Sequence, residues 1–229
     1  MKGVEEGVQM GVGDCIQSRR SVRGFLDKPV PPEILERVFT LAQQAPSNCN
    51  VQPWKVFVAS GAARERIRDG LLRNVAEGVE PNSDFDYPPR FEGEYRKLQI
   101  ECAVALYSSM NISKEDHEAR ARAALRNFEL FGAPHVAFIC METHFPTTVA
   151  VDVGMYAQTL MLAMTANGIG CCAQGSMRTY PDVARAEFGF GENLGVLFGI
   201  SFGYEDPDVP ANATRTVRNS LDGNVTFSE

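Results

Sequence analysis

Three guanidinium groups and a hydroxyl stand together in Arg19-Arg20-Ser21-Val22-Arg23, in a chain of 229 residues whose formal charge is −7. Arginine offers a rigid fork of donors that matches phosphate oxygens, and a serine hydroxyl adds one more donor. The segment is therefore a candidate grip for a phosphorylated ligand, although a solvated basic turn has the same composition. Near the other end of the chain, Arg215 and Arg218 supply two more guanidiniums in RTVR. A solvated tail is the alternative there.

Two further segments could contact a polar ring. Residues 45–54 (APSNCNVQPW) hold two prolines, a serine, two asparagines, a glutamine and the only tryptophan. That set can hydrogen-bond both edges of a heterocycle, but an Asn- and Pro-rich turn is also just a turn. Residues 168–176 (GIGCCAQGS) combine three glycines with the amide of Gln174. Backbone N–H groups freed of side chains can approach a ligand closely. The spacing is neither the dinucleotide fingerprint nor a phosphate loop, since no Gly-x-Gly-x-x-Gly or Gly-Lys-Ser/Thr is present there. A helix cap running into a strand explains it equally well.

The elements that position these groups follow from periodicity. Pro31-Pro32-Glu33 suits a helix entry, and Ile34, Leu35, Val38, Leu41, Ala42 and Ala45 give the helix one apolar face until Pro46 stops it. Strands are expected over Lys55–Ser60, 134–141 and 195–203, each rich in β-branched or aromatic residues and flanked by Gly or Pro. Residues 149–167 are apolar nearly all round and read as a central buried helix, with Gly168 and Gly170 as its stop. Residues 62–132 are densely charged, with a helical pattern over 115–130 and a turn-rich stretch over 80–89, and read as an insertion or lid. One α+β domain over 1–229 results, a sheet covered by helices.

Composition removes several function classes. A net acidic chain with 44% hydrophobic residues suits a folded protein and not a nucleic-acid binder. No apolar run approaches the ~18 residues of a membrane span, and residues 1–13 lack the pattern of a signal peptide, so the cytoplasm is the expected setting. Six cysteines without a Cys-x-x-Cys pair, and only three histidines, make a structural zinc site improbable.

The order of these clusters resembles the nitroreductase family of flavin enzymes. Arg19-x-Ser21-x-Arg23, an amphipathic helix, Ala45-Pro46-Ser47-x-x-Asn50-x-Gln52-Pro53-Trp54, Asp152-Val153-Gly154 at the start of the apolar helix and the Gly-rich segment after it span essentially the whole chain. The middle segment and the ending are most similar to the nitrobenzoate-reductase-type branch. The resemblance implies a mixed, mainly antiparallel sheet flanked by helices, and an intertwined homodimer with FMN held non-covalently where the subunits meet. It implies that Arg19, Arg20, Ser21 and Arg23 bind the phosphate, ribityl chain or pyrimidine edge, that Arg215 or Arg218 closes on the phosphate, and that Pro46, Ser47, Asn48, Asn50 and Gln52 come from the partner subunit. Cys172, Ala173, Gln174 and Gly175 would run along the flavin ring, and Asn127 would offer an amide to the pyrimidine. The family often has proline at 172 or 173 and an acid at 174, so this chain departs from the pattern beside flavin N5.

The implied activity is ping-pong hydride transfer from NADH or NADPH through flavin N5 to nitroaromatic, quinone or related electron-poor acceptors, with no side chain required as acid or base. Phe85, Tyr87, Phe91, Tyr107, Phe128 and Phe131 are candidate pocket walls and equally candidate core residues. Different flavin chemistry, such as reductive dehalogenation or flavin fragmentation, is the alternative within the resemblance. A protein that holds a flavin or another phosphorylated ligand without turnover is the alternative outside it.

Overall fold

The computed structural model describes residues 10–86 and 90–228. In chain order the elements are α1 (Val12–Ser18), α2 (Pro32–Ala42), β1 (Lys55–Ser60), α3 (Gly61–Ala76), α4 (Gly93–Ser109), α5 (His117–Leu125), β2 (His135–Glu142), α6 (Ala150–Ala166), β3 (Gly170–Gln174), α7 (Pro181–Phe188) and β4 (Leu194–Gly203). The strands form one sheet in the order β1-β2-β4-β3, every neighbouring pair antiparallel. The parallel component of the expected mixed sheet is reduced to a single bridge between Ser21 and Cys171.

Strand alternation sorts β2 between two cores. Ala137, Ile139 and Met141 join Val38, Ala42, Val153, Tyr156, Leu160 and Met164 under α2 and α6. Val136, Phe138 and Cys140 join Ile67, Leu71 and Ala184 under α3 and α7. The chain is thus a three-layer sandwich of helices, sheet and helices.

The structure corrects the sequence reading in four places. The helix that begins at Pro32 ends at Ala42, short of Pro46, and a short α1 precedes it. Residues 170–174 inside the supposed Gly-rich loop are an edge strand, because Cys171 pairs with Phe202 of β4 on one side and bridges Ser21 on the other. Thr147–Ala166 forms a 20-residue helical run of mean hydropathy 1.3, apolar and long enough to cross a membrane. In this fold its inner face is core, whereas Val151 (64% exposed), Gly154 and Gln158 on its outer face are uncovered within one chain. Finally, α3 belongs to the core through buried Ile67 and Leu71, so the protruding part of 62–132 is α4 with α5.

The strap before α4 is fastened too. Asp84 pairs with Arg185 of α7 and accepts the Val196 N–H at 2.7 Å, while Tyr180 donates its hydroxyl to the Val79 carbonyl at 3.1 Å. A Cβ on Gly195 would lie 2.5 Å from the Phe85 ring, which fits only because residue 195 is glycine.

His135 starts β2 as a buried neutral imidazole. The Val30 N–H donates to its Nε2 at 2.8 Å, which leaves the proton on Nδ1 facing the Ser60 hydroxyl. Burial lowers its pKa below the ordinary value. Between the unfolded value of about 6.5 and that lower folded value, the unfolded chain binds a proton the fold refuses, so stability falls as pH falls. We expect a His135→Gln variant to lose a stability slope of up to about 1.4 kcal/mol per pH unit below about pH 6.5 relative to wild type, read from urea midpoints at a series of pH values.

Candidate active site

The two arginine groups, nearly 200 residues apart in sequence, face one cavity. It has a volume of about 620 Å³, and its lining includes Arg19, Arg20, Ser21, Arg23, Arg215 and Arg218. Two contacts bring the ends of the chain together. The Val22 N–H donates to the Cys171 carbonyl at 3.0 Å, which lays residues 19–23 along β3. That approach requires Gly170, where a Cβ would lie 2.9 Å from Val22 Cγ2. Asn212, in the short 3₁₀ turn Pro210–Ala213, accepts the Arg23 N–H at 2.6 Å and donates to the carbonyls of Gly24 and Asp206, both at 2.8 Å.

The guanidiniums are not equivalent. Arg20 lines the cavity but is paired with Glu205, which offsets its charge. Arg19, Arg23, Arg215 and Arg218 have no carboxylate partner among the described residues. What side-chain bonds three of them make go to backbone carbonyls and to the Thr216 hydroxyl. Four unneutralised cations around one cavity in an acidic protein form a site for a multiply charged anion.

Arg23 also reaches a second, narrower cleft lined by Arg126, Asn127, Phe131 and residues of α4 and α5. Asn127 is therefore brought to the arginine site. Among the candidate wall aromatics only Phe131 lines this cleft; Phe85 packs on β4, Phe128 lies against Tyr180 at 5.9 Å, and Tyr107 lies under Arg120 at 4.6 Å. Phe91 is half-buried, and Tyr87 lies outside the described residues.

Along the end of β3 the period of two decides what each residue shows. Ala173 and Gly175 are exposed, whereas Cys172 and Gln174 are buried and point inward. Cys172 packs with Val22, Phe25, Phe131 and Ala133, and burial raises its thiol pKa. Cys171 on the opposite face is pushed up to about 12 by burial. Both thiols stay protonated and have no nucleophilic role at neutral pH. The side chains of Cys172 and Gln174 are therefore buried away from the surface, and strand alternation exposes Ala173 and Gly175.

The 46–52 segment is not with the arginines. The Asn48 N–H donates to buried Asp152 at 3.0 Å, in the first turn of α6, whereas Arg19 and Arg20 share a pocket with Thr165 and Gly168 at its last turn. Thirteen helical steps lead from Asp152 to Thr165, about 20 Å at 1.5 Å per residue. Pro46, Asn48, Asn50 and Gln52 are exposed, and Cys49, Asn50 and Gln52 hold positive φ of 48°, 56° and 47°. Strained, exposed polar residues of this kind concentrate at functional sites. Sequence reading missed Asn212, Ser201 and Glu205, whose only local mark is a polar residue in an apolar or turn setting, and it singled out Asp152 without its bond to the Asn48 N–H.

Fold and site together define a sandwich protein with an anion grip built from both chain termini. The chain belongs to the nitroreductase family, whose model matches residues 16–204. It is 40% identical over 216 residues to "Nitroreductase NfnB" of Mycolicibacterium smegmatis, covering 93% of this chain and 91% of that protein. It is 31% identical over 216 residues to the 4-nitrobenzoate reductase of Nocardioides sp., covering 93% and 87%. The crystal structure of the FMN-dependent nitroreductase NfnB from Mycobacterium smegmatis in complex with NADPH superposes with a TM-score of 0.90 at 39% identity, over 94% of this chain and 96% of that one. The FMN and NADPH-dependent nitroreductase NfnB from sphigopyxis sp. strain HMH superposes with a TM-score of 0.92 at 29% identity, over 96% and 100%.

The Asn212 clamp carries a direct test. Asn212→Ala leaves the Arg23 N–H without its acceptor and takes one donor each from the Gly24 and Asp206 carbonyls, which keep the Asp206 and Val209 N–H groups. We expect a loss on the order of 3 kcal/mol in urea unfolding, while Asn219→Ala, on the exposed tail, changes stability by less than about 0.5 kcal/mol.

Proposed function

We propose that this protein is an FMN-dependent oxidoreductase that takes electrons from NADPH and reduces nitroaromatic and related electron-poor compounds, acting as a homodimer in the cytoplasm. One observation carries the reading: four guanidiniums without carboxylate partners among the described residues, from segments nearly 200 residues apart, line a cavity that shares Arg23 with a cleft holding Asn127. The phosphate of FMN is close to dianionic, and its pyrimidine edge presents carbonyl and N–H groups, so the donor set fits the cofactor. The similar proteins, an FMN-dependent nitroreductase in complex with NADPH, an FMN and NADPH-dependent nitroreductase and a 4-nitrobenzoate reductase, support the same choice of cofactor, donor and acceptor.

Flavin bound there supplies two-electron chemistry, accepting hydride from the nicotinamide and passing reducing equivalents to the acceptor. The chain's own residues bind and orient. Arg19, Ser21, Arg215 and Arg218 would hold the phosphate end, and Arg23, which shares a cleft with Asn127, would reach past the ribityl chain to the pyrimidine edge. Asn127 lies at the pyrimidine end, and the exposed backbone of Ala173 and Gly175 runs alongside the ring. Arg20 acts indirectly, tying the segment to Glu205. No described side chain near this path needs to give or take a proton.

The α6 spacing supports the homodimer. Residues 46–52 and the arginine grip lie at opposite ends of one helix, so a second copy in antiparallel register brings one chain's loop to the other chain's grip. Uncovered apolar side chains support the same arrangement: Val151 on α6, Tyr95 (74% exposed) on α4 and Phe227 (78% exposed) on the tail.

The purified protein is expected to carry the absorption of oxidised flavin, to lose it on anaerobic addition of one equivalent of NADPH, and to elute at the mass of two chains. Protein that takes up no FMN when it is supplied in excess overturns the reading. Arg23→Ala removes charge-assisted hydrogen bonds worth about 1.5–3 kcal/mol and should weaken FMN binding about 10- to 100-fold, measured by fluorescence quenching. Mixing Arg23→Ala chains with Asn48→Ala/Asn50→Ala chains should recover activity, because hybrid dimers contain one intact site; additive inactivity would place the loop and the grip in separate sites.

A further inference from the structure

Gln174 is 2% exposed, yet both ends of its amide are engaged. Its Oε1 accepts the hydroxyl of Ser201, which is itself fully buried on β4. Its Nε2 donates to the main-chain carbonyl of Asn127 at 2.9 Å and stands 3.4 Å from the Asn127 Oδ1. The bar therefore runs from the sheet, through the end of β3, to the turn that follows α5.

That turn needs holding. Leu130, Phe131 and Gly132 have φ of 58°, 54° and 78° in succession, a conformation that costs the two side-chain-bearing residues about 1 kcal/mol or more each. Within the turn, Arg126 donates to the Phe131 carbonyl at 3.0 Å and the Phe131 N–H returns to the Arg126 carbonyl at 3.0 Å. The Asn127 carbonyl also takes the Leu130 N–H at 3.1 Å. Of the described side chains, Gln174 is the one that ties Asn127 to the sheet. The same turn lines the cleft it shares with Arg23.

We propose that Gln174 is a positioning residue of the flavin site: its amide crossbar holds Asn127 and the strained 126–132 turn against β3, so that Asn127 and Arg23 meet one edge of the cofactor without a negative charge between them. This rests on the FMN reading above. The chemistry of the two neighbours selects an amide. Ser201 presents a hydroxyl to be accepted and Asn127 a carbonyl to be donated to, so the residue between them must accept at one end and donate at the other. A carboxylate satisfies Ser201 but sets an acceptor against the Asn127 carbonyl and buries a charge; an apolar side chain leaves the Ser201 hydroxyl without its acceptor and the Asn127 carbonyl with the Leu130 N–H alone. Asparagine is one carbon too short for the span.

The test uses FMN-loaded protein with Gln174→Glu and the uncharged, similarly shaped Gln174→Met. Both should weaken FMN binding by about tenfold or more at pH 8 and speed amide hydrogen exchange at 130–132, whereas only Gln174→Glu should move the flavin midpoint potential in the negative direction. Lowering the pH should restore FMN affinity to Gln174→Glu alone, because a protonated carboxyl regains a donor for the Asn127 carbonyl. Wild-type affinity with unchanged exchange in Gln174→Met overturns the proposal, as does a Gln174→Glu defect that is the same at every pH. Should Gln174→Glu fail to fold, Gln174→Met carries the test. Wild-type protein that binds no FMN defeats the functional reading instead, and the exchange rates at 130–132 still decide whether the crossbar holds the turn.

Discussion

The site depends on joining the two ends of one chain, and the buried amide of Asn212 does the joining. It receives the Arg23 N–H and gives its own two protons to the Gly24 and Asp206 carbonyls, closing a three-bond clamp between the N-terminal arginine segment and the turn that leads to Arg215. An amide is the smallest side chain that can accept once and donate twice. Without that clamp, residues 19–23 would keep the edge contact to Cys171 and the Arg20–Glu205 pair, but the turn that leads to Arg215 would lose its bond to the Arg23 N–H. The cation cluster costs repulsive energy, so the fold must hold it against that repulsion, and hydrogen bonds from uncharged groups are the means least disturbed by the cluster's own field.

The same logic governs α6. Seventeen residues of helix set the distance between the polar loop anchored on Asp152 and the arginine grip beside its last turn. A rigid helix cannot be shortened to bring them together within one chain. The helix's outer face stays apolar and uncovered, and the loop at its N-terminal end holds a strained backbone with its polar side chains outward. Both features are costly for an isolated chain and become reasonable once a second copy lies against them.

The α2 and α6 helices and strands β1, β2 and β4 were legible in the sequence because each carries its own periodicity and boundary residues. Edge strand β3 was not, since GCCAQ has no β-branched residue and takes its conformation from β4 and the Ser21 bridge. The arginine grip was legible as a composition anomaly in an acidic chain. Its internal division was not: that Arg20 is paired with Glu205 while Arg19 and Arg23 have no carboxylate partner among the described residues depends on a residue 185 positions away. Asn212, Ser201 and Asp152 carry no local mark of their roles for the same reason. Gln174 was visible as an amide in the right segment, but only the alternation of β3, unseen in the sequence, turns that amide inward.

This inward turn changes what the departure at position 174 means. An amide at the end of a strand, pointing at the ligand, would add one hydrogen bond to it. An amide pointing away, fixed between a buried hydroxyl and a carbonyl, determines where a neighbouring turn stands. The turn in question carries Arg126 and Asn127 and holds two bulky residues at positive φ, so it gains nothing from its own backbone preferences and relies on contacts from outside. A neutral group in that place also leaves the field of Arg19, Arg23, Arg215 and Arg218 undiminished toward the cleft. In a protein of net charge −7, keeping carboxylates away from these four cations matters as much as gathering them.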